Sequence, residues 1–355
     1  MQLKPIPSPD DRHASNRARI RDVAREAAVS TATVDRVLNR RPGVREATVQ
    51  RVWAAARALG YLSEADLFAS LAPSPMRLEF LLPAGTNRYL RMLGEYIRNA
   101  EEVLSPFNVR CRCHFIDSFD PQVLAESLLR YGKGADGIAF MALEHPVVRE
   151  AVNTLAERGV HVVTLISDLS NSRRSAYVGM DNRAAGRTAG YLVGRLLGPR
   201  TGKVAMIAGS LSYRGHEERE MGFLHVMREM FPSLAVLGLR EGHDDANNNY
   251  RQARSLLAQH GDLVGFYNIG GGSGGIGRAL KEAGRELQTV FIGHGLTPDT
   301  RSLLIDGTLD AVITQDPPSM VSTCVRIFTN LRDQRDAMGG VEPIRISIIF
   351  RENLP

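Results

Sequence analysis

The chain has 355 residues, 43% of them hydrophobic, which is enough for two or three domains with buried cores. It has no apolar run of the roughly 20 residues that a membrane-spanning helix needs, and its first residues lack the apolar core of a secretory signal. Its three cysteines are too few for a disulfide framework. These features favour a cytoplasmic protein with no membrane partner.

The net charge of +5 arises at the N-terminal end of the chain. Residues 1–62 contain 12 Lys and Arg against 6 Asp and Glu, whereas the remaining residues contain 32 against 33. One basic module on a nearly neutral chain is typical of a surface that binds phosphate, although a solvated basic surface would look the same. Residues 1–18, rich in Pro, Ser, Asp and Arg, are predicted to form a disordered tail.

Three short amphipathic helices are predicted within residues 19–62. The second begins after Ser30, a good N-cap, and only a short turn separates it from the first. Such a trio is typical of a helix-turn-helix unit, whose second helix lies in the major groove, but a small helical bundle with a polar surface shares the pattern. The inward positions have helical spacing: Ile20, Val23, Ala24 and Ala27, then Val34, Val37 and Leu38, then Val49, Val52, Trp53 and Ala56.

The second helix provides the candidate DNA contacts. Its first residues would reach base edges, so Thr31, Ala32 and Arg36 are the candidates for base readout, and an arginine can pair with guanine through two hydrogen bonds. Contacts to phosphate position a DNA-binding head without reading sequence. Their candidates are Ser30, Thr33, Asn39 and Thr48.

The segment IRDVAREAAVSTATVDRVLNRRPGVREATVQRVWAAARALGYL resembles the head of the LacI/GalR repressor family. The shared features are D-V-A, the A-x-V-S turn, T-V-x-R-V-L-N, the V-x-x-x-T start of the third helix and the closing L-G-Y. The family's usual Ser in T-V-S-R-V is Asp35 here. Because a carboxylate facing phosphate is unfavourable, Asp35 is expected to accept a hydrogen bond from a cytosine amine or to turn away.

Residues 63–76 are predicted to be the hinge. In the family, a short helix here inserts a leucine from each of two subunits into the minor groove, and Leu71, or Leu67 one turn earlier, would serve. The family's Pro-Asn start is absent, and Glu64 and Asp66 are acidic.

Beyond the hinge, strand-like apolar runs alternate with helical stretches, which predicts parallel sheets flanked by helices. The fold class is therefore α/β, with an N-terminal all-α helix-turn-helix domain followed by a two-lobed sensor over residues 77–355. The sensor resembles the periplasmic-binding-protein-like fold that the family shares with ribose-type binding proteins. The predicted lobes are about 77–178 plus 316–340, and about 179–315 plus 341–355.

The resemblance carries seven candidate ligand-binding residues onto the sensor. Planar polar groups that grip vicinal hydroxyls and an aromatic face that covers a ring suit a sugar or polyol. Each alone is more often a turn cap. Two positions depart from the sugar pattern, because carboxylates of the family fall on Ile166 and on a histidine, which keeps a sugar acid open. The candidates are Asn87, Tyr89, Asp168, Arg219, Asn268, His294 and Gln315.

Two motifs suggest other functions. The glycine-rich run Gly270–Gly277 contains G-x-G-x-x-G, so an NAD(P)-dependent oxidoreductase is the alternative reading, but the next strand ends in His294 rather than in the acidic residue that would bind a ribose. Cys111, Cys113 and His114 look like metal ligands, yet alternation along one strand explains the cysteines as a buried face. We therefore predict no catalytic residue, no metal and no cofactor.

The expected protein is a ligand-controlled repressor of genes for carbohydrate uptake or catabolism. One head reads only half of a pseudo-palindromic operator, so a homodimer is expected. No heptad tail predicts a tetramer. Effector binding would close the two lobes and change the spacing of the heads.

Overall fold

The computed structural model describes residues 18–39, 41, 43–61, 75–116 and 119–355. The chain divides into two compact units, Met1–Ser74 and Pro75–Pro355, each of which is described by itself. Residues 1–17 of the predicted tail, residue 62, and residues 63–74 of the predicted hinge, including Leu71, lie outside the described residues.

The N-terminal unit contains the three predicted helices, α1 (Ile20–Glu26), α2 (Thr31–Leu38) and α3 (Glu46–Ala58). The predicted inward faces are confirmed, because they meet in one small core. Ile20, Leu38 and Val49 are only partly buried at its edge. The fully or nearly fully buried members are Val23, Ala24, Ala27, Val34, Val37, Val52, Trp53, Ala55 and Ala56.

The turn between α1 and α2 is tight. Ala28 adopts a left-handed conformation (φ +52°), and the amide of Val29 donates to the carbonyl of Ala24 at 3.0 Å, the hydrogen bond that commonly closes a helix C-terminus. Ser30 then caps α2 as predicted, because its Oγ accepts from the amide of Thr33 at 3.1 Å.

The first sheet of the sensor has five parallel strands in the order β2-β1-β3-β4-β5. The strands are β1 (Met76–Pro83), β2 (Val109–Ile116), β3 (Gly137–Phe140), β4 (His161–Leu165) and β5 (Ala176–Val178). The connecting helices are α4 (Arg88–Asn99), α5 (Glu101–Leu104), α6 (Pro121–Gly132) and α7 (Pro146–Glu157). The buried faces of these elements form one continuous core.

The second sheet has the order β12-β11-β10-β9-β6-β7, and the short β8 also pairs with β6. Its strands are β6 (Gly202–Ala208), β7 (Leu234–Val236), β8 (Arg240–Glu241), β9 (Leu263–Asn268), β10 (Val290–His294), β11 (Ala311–Thr314) and β12 (Ser347–Ile349). All pairs are parallel except β11 with β12. The helices are α8 (Asn182–Leu197), α9 (Arg214–Met230), α10 (Ala246–Gln259), α11 (Ser273–Glu282), α12 (Pro298–Ile305) and α13 (Pro317–Arg332).

The chain passes between the two sheets more than once. Helix α13 follows a strand of the second sheet, yet its Cys324 and Phe328 are buried in the core of the first sheet. Strand β12 then returns, and its Ile348 packs against the second sheet's core. Each sheet with its helices forms a lobe, named here lobe 1 and lobe 2. The residue boundaries of the lobes given above stay a prediction.

The predicted alternation of strands and helices is confirmed, with two differences. Strand β5 was not predicted, because only three residues of a polar stretch pair with β4. The apolar run over residues 234–241 forms two short strands rather than one, since the chain leaves the sheet between β7 and β8.

Candidate functional sites

Most of the candidate DNA-contacting residues lie on α2 or directly beside it. Thr31, Ala32 and Arg36 are exposed, whereas Val34 and Val37 of the same helix are buried. The polar groups at the start and end of the helix, Ser30 and Asn39, are exposed as well, and the Thr33 and Thr48 side chains are partly buried. The helix therefore presents the predicted base-reading set to solvent.

Asp35 is turned toward the C-terminal end of α2. Its Oδ1 accepts from Nδ2 of Asn39 at 2.7 Å, and its Oδ2 lies 3.3 Å from a guanidinium nitrogen of Arg41. Of the two expectations for Asp35, this geometry fits the one in which the side chain turns away. The Asn39 amide, which is a predicted phosphate contact, therefore already donates one hydrogen bond within the head.

The sensor encloses a cavity of about 50 Å³ between its lobes. Residues from both lobes line it, at the carboxyl ends of strands where ligands of open α/β sheets bind. Five of the seven predicted ligand residues are among them, namely Asn87, Tyr89, Arg219, His294 and Gln315. The others are Leu90, Met141, Ile166, Met180, His216, Gly270, Gly271, Gly295, Ile313 and Thr314. This space is named the inner cavity.

A second space, the outer cavity, has a volume of about 470 Å³ and shares Asn87, Tyr89, Gly271 and His294 with the inner one. Its remaining lining comes from helix α4 and the preceding Thr86 in lobe 1, and from the N-terminal ends of α10, α11 and α12 in lobe 2. Because they share these four residues, the two spaces adjoin, and one ligand can extend from the inner into the outer cavity.

Three contacts from the start of α4 bridge the lobes beside these cavities. The Thr86 hydroxyl donates to the carbonyl of Asp244 at 3.1 Å, and Nδ2 of Asn87 donates to the carboxylate of the same aspartate at 3.0 Å. Arg88 forms an ion pair with Asp299 at 2.8 Å. These contacts hold the lobes in a closed arrangement.

Gln315 connects the two segments by which the chain crosses between lobes. Its Oε1 accepts from the amide of Met180, which follows β5, at 2.7 Å, and its carbonyl accepts from the Tyr89 hydroxyl at 3.0 Å. Burial raises the pKa of Tyr89 above its usual range, so the hydroxyl stays protonated and remains a donor. Tyr89 and Gln315 thus couple helix α4 to the crossing segments.

Arg219 projects from α9 and is only 6% exposed. Its Nε donates to Oδ1 of Asn182 and its Nη1 to the carbonyl of Ile269, both at 2.8 Å. Helices α8 and α9 approach closely at Gly186, where a Cβ would lie 2.0 Å from the carbonyl oxygen of Arg219. Close helix packing therefore fixes the position of the guanidinium.

His294 ends β10 and is 7% exposed. Its Nε2 lies 2.9 Å from the Tyr267 hydroxyl, while its Nδ1 is buried without a partner among the described residues. Burial lowers the pKa of His294 well below its usual value, and the nearby Arg219 charge acts in the same direction. The ring is neutral at pH 7.

Two predicted ligand residues do not reach either cavity. Both Asp168 carboxylate oxygens accept from the Arg174 guanidinium at 2.5 Å, and the Thr164 hydroxyl donates to the same carboxylate at 2.6 Å. Asn268 is fully buried and donates to the carbonyl of Gly271 and to the Ser273 hydroxyl, both at 2.8 Å. The first residue is committed to an ion pair within lobe 1, and the second shapes the loop before α11.

Sequence reasoning missed two residues at the cleft. His216 lines the inner cavity one helical turn before Arg219, and that i, i+3 spacing was the available signal. Asp244 is 5% exposed and accepts from the amide of Gly271 at 2.6 Å. Burial lowers the pKa of His216, although the nearby Asp244 charge opposes this.

The glycine-rich run has packing roles in this fold. A Cβ on Gly275 would lie 1.8 Å from the carbonyl of Ala246 on α10, and one on Gly277 would lie 2.5 Å from the Leu303 side chain. These glycines let α11 pack closely against its neighbours. Cys111 and Cys113 are partly buried, and in the described part of the chain no group of three or more His, Cys, Asp and Glu side chains is arranged to hold a metal.

Comparison with known proteins agrees with this arrangement. Residues 125–335 match the periplasmic binding protein domain, and residues 19–64 match the bacterial regulatory proteins of the lacI family. The chain thus combines a lacI-family DNA-binding domain with a periplasmic binding protein domain. This combination is that of a ligand-responsive, DNA-binding transcription regulator rather than that of an enzyme.

Individual relatives show the same two aspects. The HTH-type transcriptional repressor PurR of Erwinia tasmaniensis is 27% identical over 244 residues, which are 68% of this chain and 69% of that protein. Among solved structures, the glucose-galactose binding protein GanP of Geobacillus stearothermophilus has a TM-score of 0.72 at 24% identity, covering 80% of this chain and all of GanP. A LacI regulator from Bacteroides fragilis has a TM-score of 0.69 at 19% identity, covering 79% of this chain and 98% of that one.

Among the described residues, no helix combines the length and apolar character needed to cross a bilayer.

Proposed function

We propose that this lacI-family member represses genes for carbohydrate uptake or catabolism, as a cytoplasmic homodimer whose operator affinity depends on an effector in the cleft. The observation that carries the proposal is the inner cavity, which residues of both lobes line. A ligand there contacts both lobes at once, so its binding energy depends on how they are closed.

The effector class proposed is a sugar, a polyol or a sugar acid. Asn87 and Gln315 offer amide groups, and Tyr89 offers an aromatic face, all at the same cavity. Such groups suit a ligand with several hydroxyls. GanP, a neighbour in fold, is by name a glucose-galactose binding protein.

For the head, we propose base readout by Thr31, Ala32 and Arg36. The phosphate contacts proposed are Ser30, Thr33, Asn39 and Thr48, with Leu71 entering the minor groove. Exposure of the first three on one side of α2 supports this assignment. Two heads would read the two halves of a pseudo-palindromic site.

The test is selection of an operator from random duplexes with the full chain, followed by titration of the complex with sugars, polyols and sugar acids. A salt-dependent, sequence-selective complex whose affinity changes about 5- to 150-fold with one compound is expected, which is the usual range of allosteric coupling. Binding to every duplex with equal affinity, or a complex that no compound affects, would contradict the proposal.

A further inference from the structure

Arg219 carries a buried charge that forms no ion pair with any described residue. Its two acceptors, Oδ1 of Asn182 and the carbonyl of Ile269, are both neutral. No hydrogen bond joins its Nη2 to a described residue, and none of the described carboxylates lies within the 4.0 Å of an ion pair. Buried charges in proteins are normally paired, because desolvation of a lone ion is costly. The pairing group is expected to come from outside the chain.

The surroundings of the inner cavity do not compensate this charge. None of its fifteen described lining residues is Asp or Glu, and Arg219 is the only Lys or Arg among them. The two lining histidines, His216 and His294, have pKa values lowered by burial and are neutral near pH 7. The full charge that faces this cavity is therefore a single positive one.

The nearby carboxylates are already engaged. Asp244 accepts from the Gly271 amide through one oxygen and from Asn87 through the other, and Asp168 is paired with Arg174. Burial lowers the pKa of Arg219, and the Asp244 charge partly opposes this shift. Asp244 lies beyond ion-pair distance from the guanidinium. Neither carboxylate lines the inner cavity, so neither neutralises the Arg219 charge there.

His294 supplies a second unmatched group. Its Nε2 shares a hydrogen bond with the Tyr267 hydroxyl, in which either group can be the donor. The other ring nitrogen, Nδ1, is buried and has no partner among the described residues. A buried polar atom without a hydrogen-bond partner costs about 1–3 kcal/mol. The ring lines both cavities, so an oxygen of a hydroxy acid, which can accept as a carboxylate or donate as a hydroxyl, is the natural partner.

We propose that the effector is a sugar acid or another small hydroxy acid, with one carboxylate in the inner cavity against Arg219 and a hydroxyl-bearing body in the outer cavity. This inference rests on the proposed function. The inner space contains the Arg219 charge, and it adjoins the outer one through Asn87, Tyr89, Gly271 and His294, so a ligand anchored by its carboxylate can extend into the outer cavity. One cation matches one carboxylate better than it matches a phosphate dianion, and an ion pair formed out of water is strong.

The test measures thermal unfolding of the full chain with matched pairs of compounds that differ only in the acid group. The pairs are D-gluconate with D-glucitol, D-galacturonate with D-galactose, and D-ribonate with D-ribitol, and D-glucose 6-phosphate represents phosphates. At least one acid is expected to raise the unfolding midpoint and to bind at least tenfold more tightly than its neutral partner.

Neutral compounds that bind as tightly as their acids, a preference for the phosphate, or a panel in which no acid binds would each overturn the inference. The proposed function is judged separately by the operator assay. If a neutral sugar changes operator affinity, the proposed regulatory function is supported and the proposal of a carboxylate ligand is wrong. If no duplex is preferred, the proposed function fails whatever the sensor binds.

Two substitutions test whether Arg219 causes the preference for the acid over its neutral partner. Arg219→Gln is expected to lower the affinity for the acid at least tenfold while changing that for the neutral partner much less, and Arg219→Lys is expected to keep the preference for the acid. Arg214→Gln is the matched control, because Arg214 lies on the same helix, pairs with Glu218 at 2.7 Å and lines neither cavity. Equal losses for acid and neutral ligand in Arg219→Gln would overturn the assignment.

Discussion

The head and the sensor place their functional side chains in opposite ways. In the head, the residues proposed to read bases lie exposed on one helix of eight residues, and their neighbours form the core. In the sensor, the inner cavity collects buried side chains from segments between Asn87 and Gln315, more than 200 residues apart in sequence. A surface contact can therefore change without affecting the fold, whereas a change in the cleft also disturbs packing.

This difference predicts which substitutions act on binding alone and which act on stability as well. The chain contains a single tryptophan, Trp53, in the core of the head. Its fluorescence therefore reports unfolding of the head, whereas far-ultraviolet circular dichroism is dominated by the larger sensor.

The largest effect is expected for Gly186→Ala in the sensor. The new Cβ would lie 2.0 Å from the backbone carbonyl of Arg219, so α8 and α9 must separate, and overpacking of this kind costs about 1–3 kcal/mol. We expect a loss near the upper end, measured by urea unfolding with circular dichroism, and an unchanged Trp53 fluorescence midpoint. Gly238→Ala is the control, because nothing lies within 4 Å of its Cβ. Equal effects of the two substitutions would remove the packing argument.

Arg36→Ala in the head should change binding without changing stability. Arg36 is exposed, and loss of a bidentate contact to guanine costs about 1–3 kcal/mol, or roughly 10- to 100-fold in operator affinity. Fluorescence anisotropy with operators carrying single-base changes should show that one base position is no longer distinguished. Arg25→Ala, on α1, is the control. A uniform loss on all duplexes would show that Arg36 contacts phosphate instead.

Substitution of Ser30 tests whether capping of α2 by its hydroxyl can be separated from the proposed contact of that hydroxyl with phosphate. Its Oγ caps α2, so Ser30→Ala should destabilise the head by about 1 kcal/mol, as read from Trp53 fluorescence. Ser30→Asn should keep the cap and the stability. If Ser30→Asn nevertheless weakens DNA binding as much as Ser30→Ala does, the hydroxyl contacts phosphate. Equal stability of wild type and Ser30→Ala would contradict the capping role.

The smallest effect is expected at the ion pair that bridges the lobes. The Arg88 and Asp299 side chains are 57% and 44% exposed, and exposed pairs contribute about 0.2–1 kcal/mol. Arg88→Ala should weaken effector binding about twofold, and less so at high salt, because the closed form loses one contact. A double-mutant cycle with Asp299→Ala isolates the interaction. A coupling energy of zero would mean that the pair does not stabilise closure.

Much of the architecture followed from local pattern. The apolar stripes of α1, α2 and α3 predicted the core of the head, and the alternation of apolar runs with helices predicted two parallel sheets. Strand β5 was not predicted, because three paired residues give almost no periodic signal in the sequence. Five of the seven predicted ligand residues line the inner cavity, because parallel strands end at one edge and so bring their last residues together.

The sequence by itself determined the three helices of the head with their buried faces, and the alternating strands and helices of the sensor, since helical and strand periodicity are local properties of the chain. Only the tertiary structure decided which polar side chains are available there. Arg174, six residues after Asp168, engages that carboxylate. Lobe 2 brings Asp244 to Asn87, and no carboxylate in the described part of the chain pairs with the buried Arg219. Such pairings depend on distances between segments far apart in sequence, which local patterns do not encode.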